Sequence, residues 1–256
     1  MPDWLYHLPL GWMGLVVVAG TAAVTAAVYA VAMALGRRGF APTLKAVSPV
    51  TLTPLAVIFA LIVAFLASQV WTDVQHANAA VAREASALRE VVVLAATFPS
   101  DTESRVRGLV RRHIEDAVQR EWPAMARQEA TLTMVSSEAG AIVELTIAIQ
   151  PQNETQTLAR REMLRAMQDA NGARRDRIVI SQSTVHWIKW VVVVLLAVLI
   201  FFTIAFVHID NRATAAITMA IFATAVASCI VLVASHNRPF TGQVSVGPDL
   251  LLQVMP

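Results

Sequence analysis

The chain has 256 residues, of which 56% are hydrophobic and only 15% are charged, with a formal net charge of +2. So few charges argue against an ordinary soluble protein, and a balance so near zero gives no footprint for nucleic acid. Cys229 is the sole cysteine, so no disulfide can form within one chain.

The apolar residues gather in four runs, each near the roughly 20 residues that span a hydrocarbon core of about 30 Å. Residues Met1 to Pro9 carry no Lys or Arg, and Leu10–Leu35 is too long for a signal-peptide core. This first run therefore reads as a retained membrane helix. Trp4, Tyr6 and Trp12 precede or open it, as interfacial aromatics do. Ala19, Ala23 and Ala27 form one small-residue row on it, and Ala22, Ala26, Ala30 and Ala34 form another. Such rows let helices approach closely in lipid, either within the chain or between subunits.

Gly36-Arg37-Arg38-Gly39 ends the first helix, and a short basic linker leads to Lys45. Pro49 and Pro54 flank the start of the second helix, where a missing N–H costs little. From Thr51 to Phe98 the sequence predicts one long rod, apolar at first and amphipathic after Trp71. Its membrane half carries a third small-residue row, Ala56, Ala60, Ala64, Ala67 and Ser68, with Ile58, Phe59, Ile62, Phe65 and Leu66 on other faces. Beyond Trp71, a packing seam is expected along Val74, Asn78, Val81, Ala85, Leu88 and Val92. Arg83, Glu84, Arg89 and Glu90 fall off that seam and are expected to face water.

Pro99 stops the rod, and Ser100 with Glu103 reads as a capping box. Val106, Leu109, Val110, His113, Ile114, Ala117 and Val118 form the apolar face of the next helix, which Pro123 interrupts. A buried helix is expected from Glu138 to Ile149. Asn153 and Gln156 cap a further helix, which is expected to relax at Asn171-Gly172 and then run on into the third membrane run from Trp190 to Val207. The one strand candidate is Ile178–Ile180. The polar turn 208–212 leads to the fourth membrane helix, Ala213 to Ala234. In the tail, Val244, Val246 and Leu250–Leu252 suggest a short extended piece and a turn of helix.

The predicted architecture is all-α: a polytopic membrane protein with four transmembrane helices and an inserted helical extramembrane domain. Residues 1–72 hold the first two membrane helices. Residues 73–187 form the domain, continuous with the second and third membrane helices. Residues 188–235 hold the last two, and 236–256 pack as a tail on the domain or the membrane surface.

Four segments carry a family resemblance: Ala80 to Leu88 (AVAREASAL), Glu121-Trp122-Pro123-Ala124-Met125, Ala173-Arg174-Arg175-Asp176-Arg177, and Arg238-Pro239-Phe240-Thr241-Gly242. In order and over nearly the whole chain, they resemble the bestrophin-like family of bacterial membrane proteins, distantly similar to bestrophin anion channels. The resemblance implies a homo-oligomer, pentameric by analogy, with the second helix lining a pore. It makes Ile58, Ile62 and Phe65 candidates for an apolar neck. It does not imply calcium gating, because the acidic calcium-binding cluster of animal bestrophins has no equivalent here.

Two further constellations stand on their own chemistry. Arg174, Arg175 and Arg177 lie closest to the membrane of the basic clusters, and either attract anions to a vestibule or form a solvated helix face. Asp73, His76, His186 and His236 are weak candidates for a metal or pH-sensing set at one membrane face; the plainer reading is four interfacial residues with separate partners. No nucleotide loop, nucleophile elbow or metal-protease motif is present, so no catalysis and no cofactor are expected. No charge lies mid-membrane, which argues against a proton-coupled carrier.

The expected function is a passive ion channel that conducts anions, in a lipid bilayer with small inorganic ions as its partners. The alternative is a non-conducting scaffold or sensor whose domain binds a partner. The expected location is the cell (inner) membrane. Arginines after the first helix place the domain outside the cytoplasm, whereas the bestrophin comparison implies the opposite.

Overall fold

The computed structural model describes residues 3–37, 41–133 and 137–256, and omits the side chains of Asp3, His7 and residues 41–48. The described residues are mainly helical and include no strand. In chain order the helices are α1 (Leu10–Leu35), α2 (Ala41–Ala95), α3 (Ser100–Asp116), α4 (Trp122–Ala126), α5 (Ser137–Ala148), α6 (Glu154–Ser181), α7 (Trp187–Val207), α8 (Arg212–Ser235) and α9 (Asp249–Gln253). A π-helical turn, Ala117–Glu121, joins α3 to α4.

The chain divides into two compact units: Met1–Trp71 with Thr184–Asn237, and Thr72–Ser183 with Arg238–Pro256. The first is the membrane unit. Its four helices are long and apolar enough to cross a bilayer. In lipid every backbone polar group needs an internal partner, so helices are the natural solution for these apolar runs. Hydroxyls follow the same rule: Thr21, Thr25, Thr203, Thr224 and Ser228 each donate to the carbonyl four residues earlier. The core is aromatic and aliphatic. The Phe201 and Phe222 rings meet edge-on at 5.4 Å, and Phe59 of α2 reaches Phe222 at 6.0 Å. Asn237 closes one end of the bundle, accepting from the Val185 backbone N–H at 2.7 Å and donating to the Tyr6 hydroxyl at 2.8 Å.

The second unit is built from the rest of α2, α3 to α6, and the tail. Asn153 caps α6 by accepting from the Gln156 N–H, as its position in the Pro151-Gln152-Asn153 turn before the helix predicts. Gln156 reaches back to accept from the Gln152 N–H. Phe240, Val246 and Leu251 of the tail are buried in the same core as Val81, Leu88, Ile114 and Met167, so the tail belongs to this domain.

Several expectations change. The second helix starts at Ala41 and passes through Pro49 and Pro54. The predicted basic linker loses its tail end to that helix, while Arg38 and Gly39 lie outside the described residues, as does the Lys45 side chain. Ser100 does not cap α3: Pro99 precedes the helix without a side-chain cap, and Glu103 accepts from Arg107 Nε at 2.8 Å instead. Ile178–Ile180 is helical, inside α6. The domain is not continuous with α7, because the chain leaves helix after Ser181 and restarts at Trp187. Asn171-Gly172 does not interrupt α6. Helix α5 is less buried than its composition suggests, with Ile147 exposed. Both alanine rows on α1 are exposed; its buried face is Met13, Val17, Thr25, Val28 and Ala32.

Candidate functional site

Helix α2 has two contrasting faces. In its membrane half, Phe59, Leu66 and Val70 are buried against the other membrane helices. The opposite face is bare: Val57 is 62% exposed, Ile58 48%, Leu61 55% and Phe65 67%. Ala64 and Ser68 are exposed on that face as well. Among the neck candidates, Ile58 and Phe65 therefore sit on the bare face, and Ile62 lies half-buried at its edge. Leu61 was missed from sequence, although it stands four residues from both Val57 and Phe65.

In the domain half the exposed positions continue at the same helical spacing: Gln75, Ala79, Ala82, Ser86, Glu90 and Val93. The buried positions are Ala77, Ala80, Val81, Glu84, Ala85, Ala87, Leu88, Val91, Val92 and Ala95. Of the predicted seam, Val81, Ala85, Leu88 and Val92 are buried and Val74 is partly buried against the same core, while Asn78 is exposed. Glu84, expected in water, is fully buried.

Glu84 is held in a dry cluster of charges. Arg177 of α6 grips it in a fork, with Nε to Oε2 at 2.8 Å and Nη2 to Oε1 at 3.1 Å. The same Nη2 donates to Glu121 Oε2 at 2.8 Å. Arg174 Nε donates to Glu121 Oε1 at 2.7 Å. The Trp122 ring lies over the Arg177 guanidinium, 4.3 Å from its centre. His113 Nε2 stands 3.8 Å from Glu84 Oε1. Two arginines face two carboxylates, so the ionic groups balance, and each guanidinium is matched to a planar acceptor. Burial alone would raise the Glu84 carboxyl, but Arg177 beside it, with hydrogen bonds from His113 and Arg177, holds it below the usual range. Burial alone would lower Arg177, but Glu84 and Glu121 hold it above its ordinary value, so it stays charged.

The tail is tied to this cluster through the same tryptophan. Trp122 Nε1 donates to the Val246 carbonyl at 3.1 Å, and Phe240 packs edge-on against the Trp122 ring at 6.1 Å. Thr241 Oγ1 donates to the Ala126 carbonyl at 2.7 Å. Gly242 adopts φ 89°, a left-handed conformation that a side chain would strain. Pro123 stands in the first turn of α4, where no N–H is needed. The π turn carries Glu121 at its end, where the carboxylate accepts from both Arg174 and Arg177.

Arg174 and Arg177 are therefore buried and paired, and cannot present charge to a vestibule, whereas Arg175 is exposed. The histidine set is not assembled: among the described residues no group of three or more His, Cys, Asp or Glu is placed to hold a metal ion. His186 caps α7 and lies beside Trp187, and His236 lies against Trp71.

Four apolar crossings, one with a bare face, and a helical domain locked to that same helix define a multi-pass membrane protein built around α2. The chain belongs to the bestrophin-like family: the Bestrophin-like domain matches residues 19–251. Its fold is similar to the crystal structure of a mutant bacterial bestrophin homologue from Klebsiella pneumoniae, at TM-score 0.68 and 10% identity, covering 94% of this chain and 97% of that one. No curated protein matches the chain in sequence.

Proposed function

We propose that this chain forms a homo-oligomeric passive ion channel that conducts anions, with α2 lining the central passage. The bare face of α2 carries the reading. In the membrane half that face is formed by Val57, Ile58, Leu61, Ala64, Phe65 and Ser68. A ring of such side chains is an apolar constriction able to gate by dewetting. Ile62 borders it, so Ile58, Ile62 and Phe65 form the neck together with Leu61. Cation channels favour rings of Asp or Glu, and the exposed positions of α2 from Val50 to Trp71 include no charged residue. Family membership and fold support the channel class, and the exposed alanine rows on α1, with exposed Ala60 and Ala64 on α2, supply surfaces for close helix approach between copies. By the charge rule, the domain lies outside the cytoplasm of the inner membrane.

The test is halide flux into liposomes holding the purified oligomer, beside Phe65→Ala and Leu61→Ala variants. Flux above empty liposomes, changed several-fold by both substitutions, is expected. Absence of flux from a folded oligomer over several pH values, with and without divalent ions, overturns the channel and favours a scaffold whose domain binds a partner.

A further inference from the structure

Helices α1 and α8 lie side by side in the membrane unit, yet leave an open groove of about 440 Å³ between them. It runs from Tyr29 back to Val18 on α1 and from Ala216 on to Ser228 on α8. The Tyr29 hydroxyl donates to the Arg212 carbonyl at 3.4 Å, so the late end of α1 lies beside the first turn of α8 and the two helices run antiparallel. At 1.5 Å per residue the groove is about 16–18 Å long, against about 15 Å for half of a 30 Å hydrocarbon core. It starts at the membrane surface where α8 begins and ends near the midplane, a length of one leaflet.

The walls make no polar demand along that length. Ala22, Ala26, Ala220 and Ala227 are small, and the hydroxyls of Thr21, Thr25, Thr224 and Ser228 each donate to the carbonyl four residues earlier, so none has a proton to spare. The mouth is the opposite. Arg212 opens α8, and Arg37 follows the end of α1. Gly36 lies so near Ile209 that a Cβ there would stand 2.6 Å from the isoleucine side chain, which sets Arg37 beside the 208–212 turn. Both arginines are exposed and form no ion pair among the described residues, and Asp210, the nearest carboxylate in sequence, is paired with neither. Two guanidiniums with open donors thus stand at the head of an apolar slot one leaflet deep.

We propose that this groove holds one anionic phospholipid, with an acyl chain between α1 and α8 and the phosphate held by Arg212 and Arg37. Charge decides the occupant. A membrane helix of a second copy would fill the slot with side chains and leave both guanidiniums unmatched, whereas a phosphodiester supplies the oxygen acceptors they lack. A zwitterionic lipid offers the same chain and phosphate, but its headgroup cation competes with the arginines. The site leaves the row Ala19, Ala23 and Ala27 for contact between copies, and it does not depend on ion conduction.

The test uses the full-length oligomer, stripped of lipid in detergent and then offered phosphatidylglycerol or phosphatidylcholine with identical chains. Retained lipid is counted per chain by native mass spectrometry. One phosphatidylglycerol per chain is expected, kept in preference to phosphatidylcholine. Arg212→Gln and Arg37→Gln should each weaken phosphatidylglycerol retention about fivefold and leave phosphatidylcholine unchanged. Arg212→Lys should keep the preference. Ala220→Phe, which fills the slot from an exposed wall, should lower retention of both lipids. Equal retention of the two lipids by the parent, or phosphatidylglycerol retention unchanged by the two glutamine variants or by Ala220→Phe, overturns the site. A parent particle that retains neither lipid overturns it as well, in favour of a neighbouring helix in the slot.

Discussion

The two units solve the problem of polar groups in opposite ways. In the membrane unit hydroxyls are returned to their own helix, and the core is assembled from Phe59, Phe201, Phe222 and aliphatic neighbours. In the domain two carboxylates and two guanidiniums are buried together, linking α2, the π turn and α6. Apolar packing tolerates many shapes, whereas a forked ion pair accepts one. Helix α2 is thus fixed in rotation by the Glu84 fork within the domain, while its membrane half offers the bare face to other surfaces. The difference teaches that Glu84 and Arg177 fix α2 against α6 within the domain, whereas Phe65 stands on a face of α2 that its own chain leaves uncovered.

The largest effect that separates the two regions is expected at Arg177. Arg177→Ala leaves Glu84 and Glu121 facing each other without their shared cation and removes the group under the Trp122 ring. Removing one partner of a buried pair costs about 3–5 kcal/mol. Thermal unfolding followed by tryptophan fluorescence should show a markedly lowered transition, whereas Phe65→Ala at the bare face should leave it within about 0.5 kcal/mol of the parent. Equal loss from both would erase the distinction between a buried ionic cluster and a bare apolar face.

A smaller effect follows from acid. The folded domain holds Glu84 below its ordinary value. Its contribution to stability is therefore fully present above the ordinary glutamate range and is lost as pH falls through the depressed folded value. The transition temperature should be level near neutrality and decline below the ordinary glutamate range. Glu84→Gln should lower the neutral value and flatten the acid limb. An acid limb unchanged in Glu84→Gln would assign the decline to other carboxylates.

The membrane architecture was legible because long apolar runs with interfacial aromatics leave few alternatives; α1 runs over Leu10–Leu35 as expected. The Asn153 cap was legible for a local reason, an Asn that closes a Pro-Gln-Asn turn just before a helical stretch. The polar cluster was not. Glu84 lies three residues after Val81 and four before Leu88, on the face they share, which was the available signal. Treating every charge as solvated hid it, since only the partners on α6 and the π turn make its burial tolerable. The same rule placed Arg174 and Arg177 in solvent. The four segments that carry the family resemblance had no common role in sequence, yet Glu84, Glu121, Trp122, Arg174, Arg177 and Phe240 meet in one place. Pairing among residues 93 apart in sequence is a tertiary fact that no local pattern encodes.

The smallest effect tests whether the tail is tied to that cluster through a single hydrogen bond. Trp122→Phe keeps an aromatic face for Arg177 and an edge partner for Phe240, but removes the indole N–H that the buried Val246 carbonyl accepts. An acceptor left without its donor costs about 1–3 kcal/mol, less than loss of the ion pair because no charge is stranded. The loss should be local. Amide exchange should rise at Val246, whose N–H donates to the Pro239 carbonyl, and through α9, where Leu251 is buried against the domain, while the amides of α6 around Arg177 keep their protection. Loosening of α6 to the same extent would mean that the tryptophan holds the cluster itself, and the tail only by way of it.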